Sequence, residues 1–219
     1  MGRHRKNEHD YHHGNLRHAC IREGIKILKT STPENLSLRD IARRLKVSPG
    51  APYRHFSNKE SLLAAIAAWG FQEFAKYIAS GLEEAGGDQL LFFRDMGQSF
   101  LNFARDHSVI FRLMFSGIIP DRSKYPELES AGDQAFTVLT DCIEHLKERG
   151  IFKDVETRRI AIHTLSFVYG YCSLLLNHRL KDIDISSDDS HILIDQMTED
   201  LLSGILNRKS ASFETTNES

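Results

Sequence analysis

The 219-residue chain is poor in cysteine. Cys20, Cys142 and Cys172 lie far apart and form no CxxC pair. An odd, sparse set excludes a disulfide framework and fits a reducing compartment. Five prolines and fourteen glycines are too few for a collagen-like or low-complexity chain. The start, MGRHRKNEHD, carries no apolar run of the secretory kind, so a cytoplasmic location is expected. Strict apolar–polar alternation is missing over any length that would make a sheet, and no segment repeats another. HExxH, GxSxG, GxxxxGKS/T and GxGxxG are missing too, so no enzyme class is indicated and no cofactor is expected. The histidines His4, His9, His12, His13 and His18 lack a compact zinc spacing, so no metal site is expected.

What the chain does have is charge, unevenly placed. Residues 1–59 carry 13 Lys/Arg against 5 Asp/Glu, and the remaining 160 residues carry 15 against 25. A basic quarter on an acidic remainder suggests that one end meets a polyanion. Hydrophobic residues make up 41%, enough for a core at this length.

The apolar residues recur at helical spacing, which makes the fold all-α. Residues 1–14 read as a flexible arm, in which Arg3, Arg5 and Lys6 can reach a minor groove. The period predicts helices over about 15–29, 38–45, 49–56, 58–85, 88–106, 107–115, 125–149, 155–179 and 189–208, with a disordered tail over 209–219. The expected division is a head over 15–57 and a larger helical part over 58–208, linked by helix 58–85. Residues 160–178 hold no charged side chain, which approaches membrane-span length. A helix apolar nearly all round is more often buried in protein, here with core on one face and a second subunit on the other.

Ser37, Ser48 and Ser57 each read as a helix N-cap, with Asp40 and Glu60 at the capping-box positions and Pro49 at a first helical position. Their spacing makes a short helix, a tight link at Lys46-Val47 and a second short helix, which is helix-turn-helix geometry. The second helix, Pro49–Phe56, would lie in the major groove. Ser48, Gly50 and Ala51 are small enough for close approach, and Ala51 can touch a thymine methyl. Tyr53 and His55 suit phosphate; Arg54 can bind guanine in a bidentate way. Lys59 adds charge at a helix start that already favours an anion.

These residues carry a resemblance. NLSLRDIARRLKVSPGAPYRHFSNKESLLAAI (Asn35–Ile66), with YHHGNLRHACIREGIKIL (Tyr11–Leu28) before it, resembles the DNA-binding domain of the TetR family of bacterial transcriptional repressors. The resemblance implies a three-helix N-terminal head for DNA binding over 15–57 and, over 58–208, a larger antiparallel helical bundle that dimerises and usually holds a small-molecule inducer. It also implies DNA contacts from Ser37, Arg39, Ser48, Pro49, Gly50, Ala51, Tyr53, Arg54 and His55, and a phosphate-binding role for Lys59. Pro52 stands where many members carry leucine or isoleucine. HSVIFRLMFSG (His107–Gly117) and TLSFVYGYCSLLLNHRL (Thr164–Leu180) resemble the WHG-type ligand-binding domain of the family. Leu165 and Tyr169 replace the naming tryptophan and histidine, and Gly170 is kept.

The expectation is a dimeric, non-enzymatic regulator that binds double-stranded, pseudo-palindromic operator DNA and is released by a mostly apolar ligand. Candidate ligand residues are Phe100, Phe103, Phe111, Phe115, His163 and Tyr169. Apolar Ile192, Leu193, Met197, Leu201, Leu202 and Ile205, with helix 160–178, are expected to form a twofold interface. Two other readings stand beside this one: the same fold without an inducer, and an all-α adaptor or enzyme whose hairpin is structural.

Overall fold

Helix forms wherever the apolar period runs. The computed structural model describes residues 16–183 and 189–206. Among them are eight α-helices: α1 (Leu16–Leu28), α2 (Leu38–Arg44), α3 (Lys59–Glu84), α4 (Gln89–Asp106), α5 (Ser108–Phe115), α6 (Pro126–Glu148), α7 (Thr157–Leu176) and α8 (Ser190–Ile205). The expected arm and tail, with the arm's histidines and basic residues, lie outside the described residues. No strand occurs among the described residues; a single antiparallel bridge joins Phe152 to Leu206.

The helix ends have local causes. Gly86 and Gly87, both at positive φ, stop α3. The Asp88 carboxylate then accepts from the N–H groups of Leu90 and Leu91, at 2.9 and 3.1 Å, and starts α4. Pro126 opens α6, where its missing N–H costs nothing.

Packing divides the chain into two compact units, each described by itself. The first holds the chain up to Glu73 together with His107–Gln134; the second holds Phe74–Asp106 and the chain from Ala135. The expected domains followed residue order, whereas these units place α5 and the start of α6 with the head.

In the first unit α1, α2 and the start of α3 bury Cys20, Ile21, Ile41, Phe56, Leu62 and Ile66. Gly70 lets α5 come close: a Cβ there would lie 2.5 Å from Ile110 Cγ2 and 2.7 Å from Met114 Sδ. In the second unit the rings of Phe74, Tyr77, Phe100 and Phe103 pack edge-on or tilted, with centroids 5.2–5.5 Å apart. Phe93 meets Phe152 in the same way. Helix α7 is long and apolar enough to cross a membrane by length and composition. Its buried residues, Ile160, Ala161, Thr164, Val168, Tyr171, Cys172 and Leu175, lie on the side packed by α4 and α8. Burial pushes the Cys142 and Cys172 thiols up to about 12, so both stay protonated at neutral pH.

Candidate nucleic-acid interface

The link after α2 is built by its backbone. Lys46 takes a left-handed φ of 56°. Its N–H donates to the Arg43 carbonyl at 3.2 Å, and the Val47 N–H donates to Ala42 at 3.0 Å. This is the Schellman arrangement that closes a helix and reverses the chain. Glycine is usual at this position; here lysine carries the left-handed conformation.

The reading element differs from the expected helix over 49–56. Residues 49–51 form a turn, and Pro52–Arg54 is a short 3-10 helix. Proline explains it: Pro52 has no N–H, so the α-helical bond from residue 52 to Ser48 cannot form. The chain tightens instead, with Ala51 N–H donating to Ser48 at 2.9 Å and His55 N–H to Pro52 at 3.0 Å. Ser48 therefore accepts a turn bond rather than capping a helix.

The other expected caps also shift. Ser37 has the extended backbone of an N-cap, but its hydroxyl makes no capping bond. Asp40 points the other way, onto Arg43 and Arg44, which hold its carboxyl below the usual range. The reciprocal box at the start of α3 is Asn58–Ser61, not Ser57–Glu60. Ser61 N–H donates to Asn58 Oδ1 at 2.8 Å, and Asn58 N–H donates to Ser61 Oγ at 3.2 Å.

The expected DNA contacts come together on one exposed stretch. Ser37, Arg39, Ser48, Pro49, Gly50, Tyr53, Arg54, His55 and Lys59 are exposed, and Ala51 is half-buried. Tyr53 keeps 47% of its surface in solvent, unusual for a large ring. Arg43 and Arg44 are neutralised locally by Asp40, and Arg44 also by Glu23. Arg39, Lys46 and Arg54 have no ion-pair partner among the described residues. Arg22 on α1 and Lys29 just after it are likewise exposed without an ion pair among the described residues, so the unpaired positive charge extends over the head as well as this stretch. Lys59 Nζ donates to the Glu34 carbonyl at 2.9 Å, tying the start of α3 to the entry of α2 while staying exposed.

The six candidate ligand residues are divided between the two units. Phe100 and Phe103 belong to the second unit's ring cluster, both nearly fully buried. Phe111 and Phe115 pack with Phe71 in the first unit. Tyr169 is half-buried. His163 is exposed and lines an open groove of about 410 Å³ with Lys153, Arg159, Ile160, Leu201 and Ile205. Leu202, expected at an interface between subunits, is buried within its own unit.

The sequence reading missed a polar cluster in the second unit. Arg105 on α4 donates to His191 Nε2 and to Ser190 Oγ. A guanidinium can only donate, so His191 carries its proton on Nδ1, which donates to Gln98 Oε1 at 2.6 Å. Gln98 Nε2 donates to the His191 carbonyl, and the Tyr171 hydroxyl to the Ser190 carbonyl at 2.9 Å. The i, i+7 spacing of Gln98 and Arg105 was visible, but their partners lie about ninety residues on. Among the described residues, no three His, Cys, Asp or Glu side chains gather as a metal site.

Comparison with known proteins agrees with this geometry. The family model for bacterial regulatory proteins of the tetR family matches residues 25–66, and that for the tetracyclin repressor-like C-terminal domain matches residues 93–201. No curated protein matches the chain. Among solved structures, a protein with unknown function from Rhodococcus sp. RHA1 is 24% identical with a TM-score of 0.79, covering 91% of this chain and 100% of its own. A TetR family transcriptional regulator from Thermus thermophilus is 19% identical with a TM-score of 0.62, covering 84% and 97%. A ketosteroid transcriptional regulator of Mycobacterium tuberculosis is 12% identical with a TM-score of 0.61, covering 88% and 96%. These likenesses show the shared fold. Two family models that take in both the helix-turn-helix and the helical C-terminal part, on a chain that folds as the family does, place this chain in the TetR family of transcriptional regulators.

Proposed function

We propose that the chain is a dimeric repressor that reads operator DNA through residues 37–59 and is released by a small, mostly apolar ligand bound by residues 58–208. The observation that carries this reading is the exposed set Arg39, Tyr53, Arg54 and His55 beside a Schellman link. Arg54 is the bidentate candidate for a guanine edge; Ser37, Arg39, Tyr53, His55 and Lys59 suit phosphate. Ser48, Pro49, Gly50 and Ala51 supply close backbone approach. The 3-10 turn keeps the side chains of Tyr53 and Arg54 outward while Pro52 and Phe56 turn inward.

A twofold dimer is supported by a second apolar ridge on α7 and α8. On α7, Ile162 and Leu174 are exposed, with the small residues Ser166 and Gly170 between them at four-residue steps. A Cβ at Gly170 would meet nothing within 4 Å in the single chain. On α8, Ile192 is 60% exposed, and Leu193, Met197, Leu201 and Ile205 are half-exposed. Such a face fits a second copy, which would set two reading stretches for half-sites ~34–36 Å apart and hence a pseudo-palindromic operator. A ligand among Phe100, Phe103, Phe111, Phe115 or Tyr169 would gain its volume by moving rings that now pack on one another. Its effect depends on binding the released state better than the bound one.

The test is selection of duplexes from a random pool by the purified protein, with sedimentation of the free and bound forms. Recovered sequences with two related half-sites, bound by a dimer, support the reading. A monomer with full affinity for one half-site overturns the dimer. Affinity indifferent to a broad panel of apolar compounds overturns the inducer.

A further inference from the structure

Four side chains anchor the end of the α5–α6 link and the first turn of α6 to the head, and nothing in DNA reading as described uses them. The Tyr125 hydroxyl donates to Glu60 Oε1 at 2.8 Å, reaching the first turn of α3. Glu127 pairs with Arg17 in the first turn of α1. The Arg17 guanidinium also lies 5.7 Å from the centroid of the Phe56 ring. Arg122 sits 5.0 Å over the Phe71 ring further along α3. Leu128 is 2% exposed and seats the segment between these polar ties.

Their placement relative to the reading turn is what gives these contacts meaning. Phe56 is 2% exposed and is the first residue beyond Pro52–His55; its N–H donates to the Pro52 carbonyl at 3.0 Å. Glu60 is the next residue after Lys59. The reading turn thus hangs between Phe56, which carries Arg17 and through it Glu127, and the start of α3, which carries Tyr125. A small groove of about 170 Å³ lies beside these ties, lined by Arg17, His55, Phe56, Lys124, Tyr125 and Glu127, among others. The turn itself is a short 3-10 element that packs on α1 and α2 and seats Pro52 and Phe56 inward, so its position follows that of the helix starts around it.

We propose that Tyr125 and Glu127 are positioning residues for DNA reading: the segment 122–128 clamps the starts of α1 and α3 and so fixes the turn that presents Tyr53, Arg54 and His55. This rests on the reading of residues 37–59 as the DNA-contacting stretch. Both ties join groups distant in sequence through a few atoms, so a shift of the segment would release the turn without unfolding the head. Burial and the Glu60 carboxylate push the Tyr125 phenol up to about 12, so its O–H remains in place to donate throughout the neutral range.

The experiment combines Tyr125→Phe with Glu127→Gln in the full chain and measures amide hydrogen exchange across residues 53–61 without DNA. It also measures affinity for a duplex selected from a random pool by the wild-type protein, and the thermal midpoint. The expected result is exchange about tenfold faster over 53–61, with affinity weakened several-fold and the thermal midpoint little changed. The charge-swapped pair Arg17→Glu with Glu127→Arg should restore slow exchange at residues 54–56, where either single reversal speeds it. Unchanged exchange in the double variant overturns the proposal, whatever happens to DNA binding. Faster exchange with unaltered affinity also overturns it, because the turn would then not need the clamp. If Arg54→Ala leaves affinity intact, the DNA-reading assignment fails instead, and the exchange arm still reports on the clamp by itself.

Discussion

The exposed stretch of the first unit holds the residues singled out for DNA contact, the ring cluster of the second holds two of those singled out for a ligand, and the two regions place them oppositely. Arg39, Tyr53 and Arg54 stand in solvent on a turn held by backbone geometry. Phe100 and Phe103 lie within the core, packed on Phe74 and Tyr77. A side chain on an exposed turn can be changed with little effect on stability and a large effect on binding. A side chain in a ring cluster cannot be changed without disturbing the fold first. Function on the turn is therefore separable from stability, whereas in the cluster the two are entangled.

The largest effect should come from breaking the buried side of this comparison. Phe103, 1% exposed, when truncated to alanine should cost about 3–5 kcal/mol in stability, measured by denaturant unfolding. A loss below about 1 kcal/mol would show the cluster to be loosely packed. On the exposed side, Arg54→Ala should leave the thermal midpoint unchanged and cost about 1–3 kcal/mol of affinity for the selected duplex.

A middle case sharpens the comparison, since Gly170 sits in open space in the single chain. Placing leucine there should raise stability by roughly 0.5–1 kcal/mol through helix propensity if the face stays in solvent. Under the proposed dimer the expected outcome is the reverse, a weakened dimer by sedimentation. Smaller again is Lys46→Gly, which removes a left-handed β-carbon; it should stabilise the first unit by up to about 1 kcal/mol, measured by denaturant unfolding.

The smallest effect concerns pH. The phenol of Tyr125, raised to about 12, favours the protonated form on folding. Its contribution is complete below the unfolded value near 10 and is lost as pH rises from about 10 to about 12. An absorbance titration of the native protein should lose one late phenolate step in Tyr125→Phe, while the Tyr171 phenol, also raised by burial, still titrates late.

Much of the fold was legible because helical periodicity is a local signal. The described helix boundaries fall within two or three residues of those read from spacing, apart from the segment 49–56. That segment was misjudged because Ser48-Pro49 is a good helix start, while Pro52 three residues later forbids the bond that an α-helix needs. The DNA-contacting candidates were legible as residue types at short spacing, and they do emerge on one exposed stretch. The ligand candidates were chosen as aromatic residues near apolar runs. Aromatic residues fill cores first, and spacing alone does not distinguish a ring that fills a core from one that lines a cavity.

By itself the sequence determined the helices, the tight link at Lys46, the basic quarter and the membership these imply. Each depends on neighbours within a few residues, where side-chain spacing and backbone sterics act directly. The tertiary structure decided what depends on residues far apart. It brought Tyr125 to Glu60 and Glu127 to Arg17, gathered Gln98, Arg105, Tyr171, Ser190 and His191 into one polar cluster, and turned Leu202 inward while leaving Ile192 in solvent. Such contacts form only when distant helices pack, and packing follows the fit of whole faces rather than any local pattern.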